Sequence, residues 1–258
     1  MLQDRKYQDD LRARCHVDGW NQGAQNVLMR LDTGGGKTKI FCDETRESGG
    51  GVCLIAHRNE IVAGISDTLA RNEIRHDIVA SAANRKGIAK GHVEQFGACY
   101  YTPGARVKVV SIDTFLTASG LDTWLPQVKL WIPDEAHHVV VGNKWHAAYE
   151  RFTNPQLRGL FPTATPKRAD GKGLGRHADG LADVMFEGPP MRWLIEQRFL
   201  TEYDVICPPS DMQVLKDVAA SGDWSPSALK EASKASHITG DVVHHYLRAA
   251  AEIGRAHV

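Results

Sequence analysis

"LDTGGGKTKI", residues 31–40, decides the fold. It follows the apolar run "NVLMRL" (26–31) and leads into a stretch with helical spacing (38–47). The phosphate-cradling pattern G-x-x-x-x-G-K-[ST] is met at Gly36-Lys37-Thr38, while Leu31 stands where its first glycine belongs. The residues alone leave two readings open, a phosphate cradle or a glycine turn between strand and helix. In the first, the backbone N–H groups of Thr33, Gly34, Gly35 and Gly36 and the helix N-terminus face phosphate oxygens. Lys37 then reaches the outer phosphates, and the Thr38 hydroxyl holds magnesium.

Working outward, short β-branched runs recur: "GVCLIAH" (51–57), "VKVVSI" (107–112), "VKLWIPD" (128–134) and "RGLFPTAT" (158–165). Helical stretches at 38–47, 58–72 and 145–152 lie between them. Alternating strands and helices predict a parallel sheet covered on both faces, with ligands at the carboxyl ends of its strands. Residues 82–106 are polar and rich in Lys, Arg and His, and are expected to be an insertion or long loop. "MRWLIEQRFL" (191–200) reads as a connecting helix, and "YDVICPP" opens a second domain whose helices are "SPSALKEAS" and "TGDVVHHYLRAAA". Ser225 and Thr239 or Asp241 are the caps expected for these helices.

Bulk properties exclude several classes. Among 258 residues, 31 are basic and 31 acidic, so net charge neither calls for nor rules out nucleic acid; a local basic groove suffices for binding it. The five cysteines form no C-x-x-C pair, which argues against a zinc ribbon or a disulfide framework and fits a reducing cytoplasm. No apolar run reaches the length of a membrane span, and "MLQDRKYQDD" is not a signal peptide.

Two further stretches carry chemistry. In "LWIPDEAHH" (130–138) an apolar strand ends in adjacent carboxylates. Asp134 suits magnesium held through water, and Glu135 suits the base that orients and deprotonates an attacking water; the alternative is a solvated acidic turn. His137 and His138 lack an evident third ligand for a metal. In "PTATPKRADGKGLG" (162–175), Thr163 and Thr165 place hydroxyls at a strand end.

Together, "GGGKT", "IAHRNEI", "DEAH" and "TATP" in this order resemble a superfamily-two helicase. The closer likeness is to its DEAH-containing, restriction-enzyme-like and phage-associated branch, where "TATP" is followed by a D-G-x-G-L-G stretch, here 170–175. The resemblance covers residues 1 to about 250. In that family the first-glycine position is often not glycine. The resemblance implies a RecA-like α/β domain, a parallel sheet with helices on both faces, plus an incomplete second domain. It also implies ATP and magnesium as cofactors and nucleic acid as partner, DNA favoured over RNA.

Site residues carry over by position. Gln8 of "RKYQ" reads the adenine edge, with Arg5 and Tyr7 nearby. Lys37 and Glu135 act in catalysis. His137, Thr163 and Thr165 couple the nucleotide site to a neighbouring element. Arg58 of "AHRNE" and Thr114 of "SIDT" grip nucleic-acid phosphates. "TPGAR" (102–106) spells another motif but precedes its strand, so it is a decoy. Pro133 and Pro162 replace the family's usual aliphatic residues.

The resulting division is 1–187 for the ATP-binding domain and 188–251 for the connecting helix and start of a truncated second domain. Residues 252–258, "EIGRAHV", back-translate to codons containing a widely used sequencing-adapter sequence and are expected to be an artefact. The reading is an ATP-dependent helicase or translocase. It hydrolyses ATP as a full-length protein, while this fragment, lacking the second motor domain, is expected to be inactive. The rivals are the motor subunit of a type I/III-like restriction system and a non-hydrolysing nucleic-acid-binding module.

Overall fold

The computed structural model describes residues 5–134, 136–168, 171–203, 243 and 246–248. The chain separates into two compact units, 1–200 and 201–258, and the fold set out here is that of the first. The helices expected at 225–233 and 239–251 fall largely outside the described residues, as do the expected artefact at 252–258 and Glu135.

Seven parallel strands form one sheet: β1 (Asn26–Arg30), β2 (Gly51–Ala56), β3 (Asp77–Val79), β4 (Val107–Ser111), β5 (Val128–Pro133), β6 (Arg158–Thr163) and β7 (Val184–Glu187). Their spatial order is β3-β4-β2-β5-β6-β1-β7. The named helices are α1 (Lys6–Arg14), α2 (Lys37–Glu47), α3 (Asn59–Arg71), α4 (Ala82–Phe96), α5 (Ile112–Thr117), α6 (Lys144–Glu150) and α7 (Met191–Glu196). Alternate strand residues point to opposite faces. Val27, Met29, Val52 and Leu54 pack with Leu11, Ile40, Val62, Ile88 and Leu194 of α1, α2, α3, α4 and α7. Leu28, Cys53 and Ile55 pack with Phe115 of α5 and Trp145 of α6. The strands are therefore buried on both sides, the expected RecA-like arrangement.

The loop expected at 82–106 is a helix over most of its length, preceded by the short strand β3. The sequence hides α4 because only Ile88 and His92 on it are buried, too few to set an apolar rhythm. Its ends are well marked: Ser81 Oγ accepts from Asn84 N at 3.3 Å, and Gly97 closes it at φ 70°.

His92 joins a buried polar cluster. Ser66 Oγ lies 2.6 Å from His76 Nε2 and 3.1 Å from His92 Nε2, and His76 Nδ1 is 2.8 Å from Ile74 O. Burial pushes His76 down to about 4 from an ordinary 6.5, against the opposing hydrogen bond to Ile74. Burial lowers His92 as well. Because the folded His76 gives up its proton more readily than the unfolded one, its neutral form stabilises the fold above pH 6.5. That contribution is lost as pH falls towards 4, by roughly 3 kcal/mol. Urea unfolding at steps between pH 7.5 and 4 is expected to show stability declining across this window. A flat profile would contradict it.

The two prolines have a common physical reason. Asp134 N donates to Ile55 O on β2, and Leu31 N donates to Thr163 O, so these residues face outward from the β5–β6 seam. Backbone groups alternate sides along a strand, so Pro133 and Pro162 both turn their missing donors into that seam. There the ladder has already stopped, at Trp131↔Gly159. Neither proline costs a sheet hydrogen bond, and β5 and β6 end unzipped beside Asp134 and Thr163.

Candidate functional site

The parallel sheet puts every strand-end motif on one edge. The loop 31–36 follows β1, Asp134 follows β5, Thr163 ends β6, Arg58 follows β2 and Thr114 follows β4. Strand order then sorts them. β1, β6 and β5 are consecutive, which places Lys37, Thr38, Thr163 and Asp134 in one half of the edge. β2 and β4 are neighbours in the other half and carry Arg58 and Thr114. Adjacent strands lie about 4.8 Å apart, so two intervening strands separate β2 from β1 by roughly 14 Å.

The loop is built around Leu31, which is buried. Its Cγ lies 2.7 Å from where a Cβ on Gly35 would sit. A leucine at the first-glycine position therefore serves as the packing core of the turn. Gly36 has φ +92°, and a Cβ there would lie 2.0 Å from Gln8 Nε2, so only glycine satisfies both backbone and space. α2 begins directly at Lys37. Lys37 Nζ donates to Leu31 O at 2.8 Å and to Asp32 O at 3.3 Å.

α1 is seated on this loop. Tyr7 Oη donates to Gly35 O at 2.7 Å, and Gln8 Nε2 donates to the same oxygen at 3.0 Å. Gln8 is buried, and its Oε1 has no hydrogen-bond partner. That orphaned acceptor fits a group bearing an exocyclic amine beside the loop. Arg5 Nη1 donates to Tyr7 Oη at 3.2 Å, and Arg5 Cζ lies 4.9 Å from the centre of the Phe199 ring. The sequence motif hinted at Gln8, but not at the role of Tyr7 in fixing the loop.

Thr163 is buried beside the loop; its Oγ1 donates to Thr165 O at 2.9 Å and accepts from Thr165 N at 3.1 Å. Thr163 O holds Leu31 N, joining β6 to the loop through the backbone. Thr165 is exposed. His137 packs on His138 at 4.2 Å between ring centres, and His138 packs on His57 at 4.9 Å. His57 immediately precedes Arg58, so the ends of β5 and β2 touch through imidazoles, a contact the sequence did not reveal. Among the described residues no His, Cys, Asp and Glu form a metal-holding group of three. Arg58 is exposed at the start of α3, and Thr114 is half-buried in α5. "TPGAR" lies at the opposite, amino edge, where Arg106 donates to Gly50 O and Thr45 O.

Residues 1–168 match the family model described as type III restriction enzyme, res subunit. The chain belongs to that family. It carries an N-terminal domain of the superfamily-two, restriction-enzyme-like helicase kind. It is 26% identical over 224 residues to a 51.5 kDa protein of a Lactococcus phage (isolate 7-9), covering 86% of this chain and 41% of the relative. It is 27% identical over 216 residues to the putative ATP-dependent helicase IRC3 of Saccharomyces cerevisiae (strain ATCC 204508 / S288c), covering 76% of this chain and 28% of that protein. The chain thus spans less than half the length of either relative.

Solved structures that share this fold include the following two. The UvsW helicase from bacteriophage T4 superposes with TM-score 0.51 at 15% identity, over 72% of this chain and 60% of that one. A nuclease-deletion mutant of the type ISP restriction-modification enzyme LlaGI, in complex with a DNA substrate mimic, gives 0.50 at 15% identity, over 77% and 21%. Among the described residues no helix is long and apolar enough to cross a membrane.

Proposed function

We propose that this chain is the nucleotide-binding half of an ATP-dependent motor that moves on nucleic acid. The observation that supports the reading is the sorting of the strand-end motifs along one sheet edge, with the loop 31–36 and Asp134 in one half and Arg58 and Thr114 in the other. Bound ATP supplies a phosphoanhydride whose hydrolysis drives motion, and magnesium neutralises its phosphates. The N–H groups of residues 33–38 and the N-terminus of α2 face the phosphate oxygens. Lys37 turns from the loop carbonyls to the outer phosphates. Thr38 and Asp134 would hold the metal. Gln8 Oε1 accepts from the adenine amine. Glu135, outside the described residues, orients and deprotonates water. Thr163 and Thr165 lie in the half that holds the loop, and His137 packs on His138, which meets His57 beside Arg58; these three residues transmit nucleotide state along the edge. The full motor needs a second such domain to close over the phosphates.

Arg58 and Thr114 contact phosphates rather than bases, so binding is expected to be insensitive to sequence and to weaken with salt. The family description names a restriction enzyme, which supports DNA as the partner and keeps a restriction-system motor as the alternative form. Arg58→Ala is expected to lower DNA affinity about tenfold, flatten the salt slope by about one, and leave ADP affinity unchanged. Fluorescence anisotropy with labelled duplex and single-stranded DNA at several salt concentrations measures both effects. Unchanged DNA affinity in the variant would remove Arg58 from the interface.

A further inference from the structure

The nucleotide loop is gripped from a second side, by residues far along the chain. Asp32 Oδ2 accepts from Met191 N at 2.6 Å, across 159 positions. Met191 opens α7, so its N–H has no acceptor within the helix, and the preceding Pro190 offers no donor. A carboxylate of the nucleotide loop therefore supplies the cap. Leu200 Cδ2 lies 2.7 Å from where a Cβ on Gly34 would sit, so the leucine rests directly on the bare loop backbone. Tyr7, which donates to Gly35 O, packs on Trp193 at 5.8 Å and on Phe199 at 5.3 Å between ring centres. Phe199 N and Leu200 N both donate to Leu194 O, folding 194–200 back onto α7.

We propose that residues 191–200 form a strap seated on the nucleotide loop, and that Asp32 and Leu200 make its seat respond to phosphate. This rests on the nucleotide reading of the loop given above. Lys37 supplies the trigger. Its ammonium donates to Asp32 O, the carbonyl of the same residue whose carboxylate caps α7. When Lys37 turns to a phosphate, the Asp32 peptide loses a charged donor and its carboxylate is drawn from Met191. Phosphate oxygens over Gly34 also compete with Leu200 for the same backbone. Asp32 and Leu200 are thus positioning residues: they touch the loop, not the reacting atoms. The strap is the last stretch of this unit, which ends at Leu200.

Hydrogen–deuterium exchange of the whole 258-residue chain, with and without ADP–magnesium, tests this, with calorimetry on the same samples to measure ADP binding. ADP is expected to speed exchange of the amides at 191–196 by about tenfold. In Asp32→Ala those amides exchange fast in both conditions. Leu200→Ala keeps its ADP affinity within about threefold of the parent and shows less than half the response over 194–200. Lys37→Ala shows no response. ADP binding with unchanged exchange over 191–200 overturns the strap and leaves the nucleotide reading standing. A full response in both Asp32→Ala and Leu200→Ala overturns the roles given to those residues. Failure of the parent chain to bind ADP overturns the strap together with the nucleotide site it depends on.

Discussion

Lys37→Ala is expected to weaken ADP–magnesium binding to the 258-residue chain by about ten- to a hundredfold, since hydrogen bonds to charged groups contribute about 1.5–3 kcal/mol each. In the proposed site the phosphates of the ligand would lie over the N-terminus of α2, whose first residue is Lys37. Removing the ammonium leaves the backbone N–H groups and helix dipole in place, so weak binding persists rather than vanishing. Stability is expected to change little, because Lys37 is half-exposed. Calorimetric titration gives the affinity, and thermal unfolding of the unliganded variant checks that it folds. An affinity equal to that of the parent would leave 31–38 as a glycine turn, the alternative its residues allow.

How much of this was legible in the sequence depends on the kind of signal each residue carries. The β-branched runs gave five of the seven strands, because a strand buried on both faces reads as a continuous apolar run. β3 escaped because it is three residues long, and α4 because its exposed surface erases helical periodicity. The strand-end motifs were legible because parallel strands put their carboxyl ends on one edge. Their separation into a loop side and an Arg58–Thr114 side was legible only through the family resemblance; the strand order that produces it is not encoded in sequence spacing. The long-range contacts of the loop were equally hidden. Asp32 stands in the motif itself, yet nothing local says that its carboxylate caps a helix opening at Met191. His57 likewise meets His138 only because β2 and β5 are neighbours.

Gly159→Ala carries the largest expected effect on stability. Gly159 sits on β6 between Asn26 of β1 and Trp131 of β5, its partners in register on the two sides. Trp131 Nε1 donates to Asn26 Oδ1 at 3.2 Å, and this bond spans β6 over the bare α-carbon of Gly159. A Cβ at 159 would lie 2.2 Å from Asn26 Oδ1 and 2.7 Å from Trp131 Nε1. Neither group has room to retreat: both residues are fully buried, and Asn26 Nδ2 is held by Leu181 O at 3.0 Å. The methyl group therefore overpacks the centre of the sheet, at about 1–3 kcal/mol, and breaks a bond between two buried polar groups, at about 1–3 kcal/mol more. A loss of roughly 3–5 kcal/mol is a large share of the stability of a domain this size, equivalent to about 10 °C or more in melting temperature. The cause can be separated from a general intolerance of the site by a double-mutant cycle with Asn26→Ala. Asn26→Ala removes the nearer obstacle, so the added cost of Gly159→Ala should fall to about half in that background. Fully additive penalties in urea unfolding would show that the Trp131–Asn26 bond is not what excludes a side chain from position 159.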